Sequence, residues 1–454
     1  MKRLLFVIPW SPFYVGLEDF NFSVMPERAP ESVVALATYL MAQGAEVEIS
    51  DMLSTLLKCK GDIESAMTAL YRQCERFKPD IIGFSFFTAR FSAAADIFYR
   101  LKNYYSAAGI SAPMMIAGGV HATLLPDLTF KHIPFDALSI GEGEMSLLSL
   151  IRGEELDKIP GIIHLYSNER RRSEVVQNLD ELPFADWSLI DWDFYTQPSH
   201  QISSGRLDRV MPITFGRGCM YKCNFCAHAS FLKPRCHTAE YFVQMMDSYA
   251  SQCKVNTFII QDSSIGNFKG EWEKVCDILI QRGRPYKWLA NLRANQVDKD
   301  FMSKLKAAGC VKLFFGFESG SPRILERMNK RITVEQSIYA AQLCHKFRIP
   351  FYASFVVNYI EEDEEDLKMT EDLIRYTQPS SLAVNKFSPI PGSKDYDKYR
   401  HLIEPHLNSI DDWTKLGCLC SDMFFGNMPE EKFHHWYNRL KKLRTTINSH
   451  EDSD

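Results

Sequence analysis

The stretch Gly216-Arg-Gly-Cys219-Met-Tyr-Lys-Cys223-Asn-Phe-Cys226 sets three cysteines within eight residues, separated by three and then two positions. A loop this short can turn three thiolates inward onto one metal centre. Three thiolates leave the fourth site of a cubane iron–sulfur cluster open, whereas an electron-transfer cluster usually takes four. An open iron can bind a substrate, which turns a redox centre into a catalyst. Gly216 and Gly218 let the backbone wrap closely where a side chain would collide. A zinc site completed by a distant fourth ligand would satisfy the same spacing.

Around this loop the sequence alternates strand and helix signals. Pro212-Ile-Thr-Phe215 reads as a short buried strand leading into it. Further strand candidates lie at 257–260, 286–289, 311–315, 351–357 and 381–384, separated by helical stretches such as 299–308 and 334–347. Six such units predict a partial barrel over residues 207–395, with chemistry at the carboxyl ends of its strands. Those ends carry Gln261-Asp262-Ser263-Ser264, then Asn291 and Arg293, then Gly316-Phe-Glu318-Ser319. After the fifth strand come Asn358 and an acidic run at 361–366. Acids in the first turn of a helix are favoured by its dipole, by roughly 0.3–1 kcal/mol each, so the run does not call for a metal.

Residues 1–160 show the same alternation. Leu4-Leu-Phe-Val-Ile8 is a first buried strand, Ser32 is placed to cap a helix running to Gly44, and strands follow at 46–50, 81–86, 114–117 and 137–140. This predicts an α/β, Rossmann-like parallel sheet covered on both faces. Its ligand belongs beyond the carboxyl ends of the strands, where Ser85, Thr88, Gly118, Gly119, His121, Gly141 and Glu142 stand. Between the two sheets, residues 161–206 read as a hairpin (161–166 with 173–177) and a linker that packs through Trp187, Trp192, Phe194 and Tyr195. Residues 396–454 form a helical tail with an amphipathic helix at 432–448. Before that helix, Cys418 and Cys420 could bind a soft metal or a thiophilic substrate such as trivalent arsenic, or be small buried hydrophobes.

Composition narrows the function classes. The 454 residues suit two to three domains, and 46% hydrophobic residues supply ample core. A net charge of −5 gives no basic footprint for nucleic acid. No apolar run is long enough to span a membrane. The apolar part of Met1-Lys-Arg-Leu-Leu-Phe-Val-Ile-Pro9 is too short for a signal peptide. With twelve cysteines in a chain of this size, reduced cytoplasmic thiols are the expectation.

The cysteine loop resembles the signature of the radical S-adenosylmethionine (SAM) superfamily, in which an aromatic, here Phe225, precedes the last cysteine. The resemblance implies a 4Fe-4S cluster on Cys219, Cys223 and Cys226, whose open iron chelates SAM. It further implies that Phe225 lies against the adenine, Asp262 and Ser263 meet the methionine amine, Arg293 its carboxylate, and Glu318 and Ser319 the ribose. The helix after Pro30, the turn at 118–123 and the turn at 141–144 resemble the N-terminal domain of cobalamin-binding radical enzymes. The Asp-x-His-x-x-Gly motif that supplies a lower histidine ligand is absent, so cobalamin would bind without it, and His121 is expected to fix its turn.

The implied activity is reductive cleavage of SAM for radical modification of a small molecule, by methyl transfer if cobalamin binds. An electron donor such as flavodoxin or ferredoxin would supply the electron. Dehydration, rearrangement, epimerisation or transfer of another SAM-derived group are the cobalamin-independent alternatives, and a non-enzymatic cofactor sensor is the other class. No catalytic residue for the substrate is legible.

Overall fold

Two parallel sheets, each in its own unit, organise the chain. One unit comprises Met1–Tyr195 with Arg400–Cys418, the other Thr196–Tyr399 with Leu419–Asp454. The computed structural model describes residues 1–15, 28–167, 170–195, 209–227, 233–416 and 424–451.

In the first unit the strands are β1 (Leu4–Ile8), β2 (Val47–Asp51), β3 (Ile81–Ser85), β4 (Met114–Gly118), β5 (Ala137–Ser139) and β6 (Ile162–Ile163), in the order β2-β1-β3-β4-β5-β6. β1 to β5 pair in parallel. β1 is buried at all five residues, as its unbroken apolar run requires of a strand covered on both faces. The order reverses between β1 and β3, and a sheet wound this way opens its ligand crevice at the carboxyl ends beside that reversal.

The helix after β1 spans Glu31–Ala42, with Pro30 at its N-cap. Ser32 therefore lies inside the first turn and does not cap it. A proline that lacks an N–H and has a fixed φ suits a helix start, and it moves the boundary back by two residues. Asp62 does cap the helix Ile63–Phe77, accepting from the backbone N–H groups of Glu64 and Ser65.

The predicted hairpin at 161–177 does not form. Ile162 and Ile163 pair antiparallel with β5 instead, and residues 173–177 are not strand. The two isoleucines gain burial as an edge of the main sheet, which a free two-stranded ribbon could not give them. The linker packs on this unit: Asp186 N–H donates to Thr38 Oγ1 (2.8 Å), Tyr195 O–H donates to Asp51 Oδ2 (2.6 Å), and the Trp187 and Trp192 rings lie 5.1 Å apart. The helix Ile410–Leu416 belongs here too, with Thr414 Oγ1 accepting from Ser92 N–H.

The second unit contains β7 (Val210–Ile213), β8 (Gly216–Arg217), β9 (Arg235–Cys236), β10 (Thr257–Ile260), β11 (Lys287–Leu292), β12 (Cys310–Glu318), β13 (Phe351–Val357) and β14 (Ser381–Lys386). Its main sheet runs β14-β13-β12-β11-β10-β7, all parallel. Each strand thus pairs with the next in sequence, the winding of a partial barrel. Pro212 costs no ladder bond to a second neighbour because β7 is an edge. The opposite edge is covered by the helix Glu430–Glu451, whose Asn448 side chain bonds both the N–H and the carbonyl of Leu382 (2.9 and 3.3 Å). A side-chain amide placed there stops the edge from pairing with another chain. Among the described residues no helix is long and apolar enough to cross a membrane.

Candidate active site

The cysteine loop is built on two anchors. The first is the β8–β9 ribbon, which pairs Gly216 with Cys236 and Arg217 with Arg235 and so closes the loop at its base. A Cβ at Gly216 would come within 2.5 Å of the Phe268 ring, and Gly218 adopts φ +86°; only glycine meets both demands. Just before the ribbon, Phe215 is buried against Phe242 and Trp272, and its N–H donates to Asp262 Oδ1 (2.8 Å).

The second anchor was not legible as a motif. Residues 327–331, which follow the helix Pro322–Arg327, grip the loop along its length. Asn224 N–H donates to the Met328 carbonyl (2.9 Å) and its amide to that of Arg327 (2.7 Å). Asn329 donates in return to the Lys222 carbonyl (2.7 Å), and Asn295 reaches both Tyr221 O–H and the Arg331 carbonyl (3.1 Å each). Asn329 and Arg331 have φ +47° and +55°. The run Arg-Met-Asn-Lys-Arg thus turns left-handed twice to present its carbonyls.

Within this cradle Cys223 is buried and Cys219 and Cys226 are half-buried. Cys226 N–H donates to the Cys223 carbonyl (3.2 Å), a tight turn between the last two sulfurs. Among the described residues no three histidine, cysteine or acidic side chains close round a single ion. A cubane takes one thiolate per iron and asks for a wider triangle. Two cations face Cys223. Burial pushes its thiol pKa up, and Lys330 and Arg293 pull against that shift. Three cysteines, a glycine-led loop and two cations fit an anionic thiolate-held cluster.

β12 carries a register shift between Gly316 and Glu318, and Glu318 takes φ +66°. Bulges of this kind re-aim a side chain. Glu318 is turned onto Lys330, whose ammonium donates to its Oε1 (2.6 Å), with both side chains under 10% exposed. The same ammonium lies 5.7 Å from the centre of the Phe225 ring. Phe225 packs on Ile324, Met328, Tyr359, Ile360 and Phe387. Arg293 lies in the same layer, with Nη1 3.6 Å from Cys223 Sγ, Nη2 donating to the Lys330 carbonyl, and its guanidinium 3.7 Å from the Tyr221 ring centre.

The remaining candidates separate. Ser263 is exposed at the end of β10, beside buried Asp262. Ser319 is fully buried and turned to the helix Glu364–Thr377, with Oγ 3.3 Å from Thr370 Oγ1 and accepting from Ser321 N–H. Asn358 does not point at a ligand. At φ +62°, its Oδ1 accepts from Phe425 and Gly426 N–H, anchoring the chain that leads to the last helix. The acidic run caps a helix as expected: Asp363 is the N-cap and forms a reciprocal capping box with Asp366. Cys418 and Cys420 lie outside the described residues.

Glu362, within that run, is 1% exposed and accepts from Asn358 N–H through Oε2 (2.6 Å). Burial lifts its carboxyl to about 8 from the ordinary 4.5. The folded protein therefore keeps a proton that the unfolded chain gives up. The stability this proton brings is complete below about pH 4.5 and is lost as the pH rises toward 8. Glu362→Gln, uncharged throughout, is expected to match the wild type in urea unfolding at acid pH and to exceed it at alkaline pH by on the order of 5 kcal/mol. Superimposable profiles would show that the carboxyl reaches water.

The carboxyl edge of the first sheet gathers the other group. Ser85 and Gly118 are direct partners across β3 and β4. Gly119 adopts φ +85°, where a Cβ would stand 3.1 Å from the Phe86 backbone. Gly141 has φ +88°, and its N–H donates to Thr123 Oγ1 (3.0 Å). Glu142 is buried beside it, and Phe87 stands 61% exposed after β3. Thr88 and His121 work from inside. The imidazole is fully buried, lies 4.2 Å from the Phe91 ring centre, and shares a 3.1 Å hydrogen bond between Nδ1 and Thr88 Oγ1. Burial drives its pKa down to about 3, so it stays neutral and ties the two loops together. An edge of glycine backbone with one exposed aromatic fits the flat face of a corrin and offers it no exposed imidazole.

Comparison with known proteins bears on both sheets. Residues 213–374 match the family model of the radical SAM superfamily, and residues 29–151 match that of the B12 binding domain. The chain is 28% identical over 363 residues to an uncharacterized methyltransferase of Pyrococcus horikoshii, spanning 75% of this chain and 73% of that one. It is 25% identical over 394 residues to the anaerobic magnesium-protoporphyrin IX monomethyl ester cyclase of Rubrivivax gelatinosus, spanning 83% and 67%. Among solved structures, the fold is similar to that of the radical SAM methyltransferase TsrM from Kitasatospora setae with tryptophan and a SAM analogue bound: TM-score 0.69, 18% identity, 86% of this chain and 75% of that one. It is similar also to the cobalamin-dependent radical enzyme OxsB with aqua-cobalamin and SAM bound: TM-score 0.67, 19% identity, 97% and 62%. The matched regions enclose the cysteine loop and the glycine-lined edge, and with them the implied 4Fe-4S cluster, SAM and cobalamin. The chain carries a radical SAM domain with a B12-binding domain N-terminal to it, and is a radical SAM enzyme.

Proposed function

We propose that this enzyme transfers a methyl group from SAM to a small-molecule substrate, using cobalamin as the carrier. The observation that carries the reading is the pairing in one chain of a gripped Cys219–Cys223–Cys226 loop with a glycine-lined carboxyl edge on a β2-β1-β3-β4-β5 sheet. The kinship to a protein named as a methyltransferase supports it. When bound, the cluster supplies one electron for SAM cleavage and the corrin supplies a methyl-accepting metal. The chain's own residues hold and orient. Cys219, Cys223 and Cys226 take the cluster, and Phe225 offers a flat face for the adenine. Exposed Ser263, beside buried Asp262 at the end of β10, would meet the methionine amine, and the Gly316–Glu318 bulge would lie toward the ribose. Ser85, Gly118, Gly119, Gly141 and Glu142 line the corrin edge, and Thr88 and His121 set its loops. The electron would come from a flavodoxin- or ferredoxin-type donor.

Holoenzyme given a strong reductant and SAM carrying a deuterated methyl group tests the proposal without knowledge of the substrate. It should release S-adenosylhomocysteine in proportion to bound cobalamin, as well as slow 5′-deoxyadenosine. Release of 5′-deoxyadenosine with no S-adenosylhomocysteine would point to radical chemistry other than methyl transfer.

A further inference from the structure

We propose that Arg293 is a positioning residue for the cluster: a fixed cation, hydrogen-bonded to Cys223, that raises the cluster's reduction potential. This rests on the reading of the cysteine loop as the cluster site.

Three contacts fix the guanidinium. Nη1 donates to Cys223 Sγ at 3.6 Å, Nη2 donates to the Lys330 carbonyl, and the Tyr221 ring covers one face at 3.7 Å. The residue is 8% exposed. A carboxylate clamp presents two parallel N–H groups to its ligand. Here Nη1 donates one N–H to sulfur and Nη2 one to a peptide oxygen, and these two bonds turn the group toward the cysteine loop. Tyr221 is itself held by Asn295, so the platform under the cation is also fixed. Arginine suits this position because its planar fork can meet sulfur, carbonyl and ring together, which a lysine ammonium cannot.

Hydrogen bonds to cluster sulfurs and the net charge around them set the potential of an iron–sulfur centre. Reduction adds one negative charge to the cluster. A cation held against one thiolate, away from solvent, stabilises the reduced form more than the oxidised form, and so eases entry of an electron from an external one-electron donor. Lys330 also places a charge near Cys223, offset by its bond to Glu318.

The test is the midpoint potential of the reconstituted full-length protein without SAM, read by electron paramagnetic resonance during a dye-mediated titration. Arg293→Gln should keep its iron and lower the midpoint. At a fixed potential the reduced fraction relative to oxidised should fall at least tenfold, about 59 mV for one electron. Arg293→Lys, which keeps the charge and loses the fork, should fall by less. An unchanged midpoint at full iron content, with weaker SAM binding, would overturn the proposal and return Arg293 to the carboxylate. If Arg293→Gln takes up no iron, Arg293→Lys decides: a lowered midpoint supports the proposal and an unchanged one overturns it. Failure of the underlying site reading is distinct, since the wild type itself would then hold no four-iron cluster.

Discussion

Replacing Cys219, Cys223 and Cys226 together by alanine is expected to abolish cluster uptake. Anaerobic reconstitution of the wild type should yield about four irons and four sulfides per chain, with visible charge-transfer absorption and slow 5′-deoxyadenosine release. The triple variant should be colourless and silent in both assays, yet folded. The thiols sit on a loop gripped by backbone bonds to 327–331, and those bonds survive the loss of sulfur. Cys236 supplies the control. It faces Gly216 across the ribbon, and Cys236→Ser should keep full iron. A metal content that falls with Cys236 and comes out as zinc would instead identify a four-ligand structural site.

Glu318→Ala should be the most destabilising single change near the site. It leaves the Lys330 ammonium without its carboxylate in a place where both side chains are under 10% exposed. Breaking one side of a buried pair costs about 3–5 kcal/mol, because the remaining charge is uncompensated. The Lys330 peptide also receives Arg293, so the variant should loosen the cysteine loop as well. Replacing the pair together, Glu318→Gln with Lys330→Met, should restore most of the stability. Urea unfolding of the three proteins measures this. A loss below about 1 kcal/mol in Glu318→Ala would place the pair among the solvated ones. The effect also bears on the resemblance, which gave Glu318 to the ribose: a drop in SAM affinity in this variant would report the loop as much as a lost contact.

Much of this arrangement could be read from the sequence, for reasons of local chemistry. The Leu4–Ile8 and Phe351–Val357 strands are apolar runs that only a covered sheet accommodates, and both formed as expected. The three cysteines declare themselves because metal chemistry demands a residue type at a spacing. What stayed hidden depends on which carbonyl or charge arrives from a distant segment. Nothing in Arg-Met-Asn-Lys-Arg announces a cradle, because its backbone carbonyls do the holding. The ion pair of Glu318 with Lys330, set by a bulge, could not be read from either residue alone. Ser319, one residue later, faces the other way, into the helix behind the sheet. The 161–177 hairpin was misread because Ile162 and Ile163 suit any β partner, and the neighbouring open edge of β5 had the better claim.

A chain that unites a SAM-cleaving cluster with a corrin on its glycine-lined edge should hold both groups at once. Titration of the cluster-loaded protein with hydroxocobalamin, followed by gel filtration and an absorbance spectrum, measures this. About one cobalamin per chain should be retained, in a base-off form without a protein nitrogen ligand, because the His121 imidazole is buried against Phe91 and bonded to Thr88. Complete loss of the corrin on the column, with 5′-deoxyadenosine release intact, would contradict it and leave a cobalamin-independent radical enzyme.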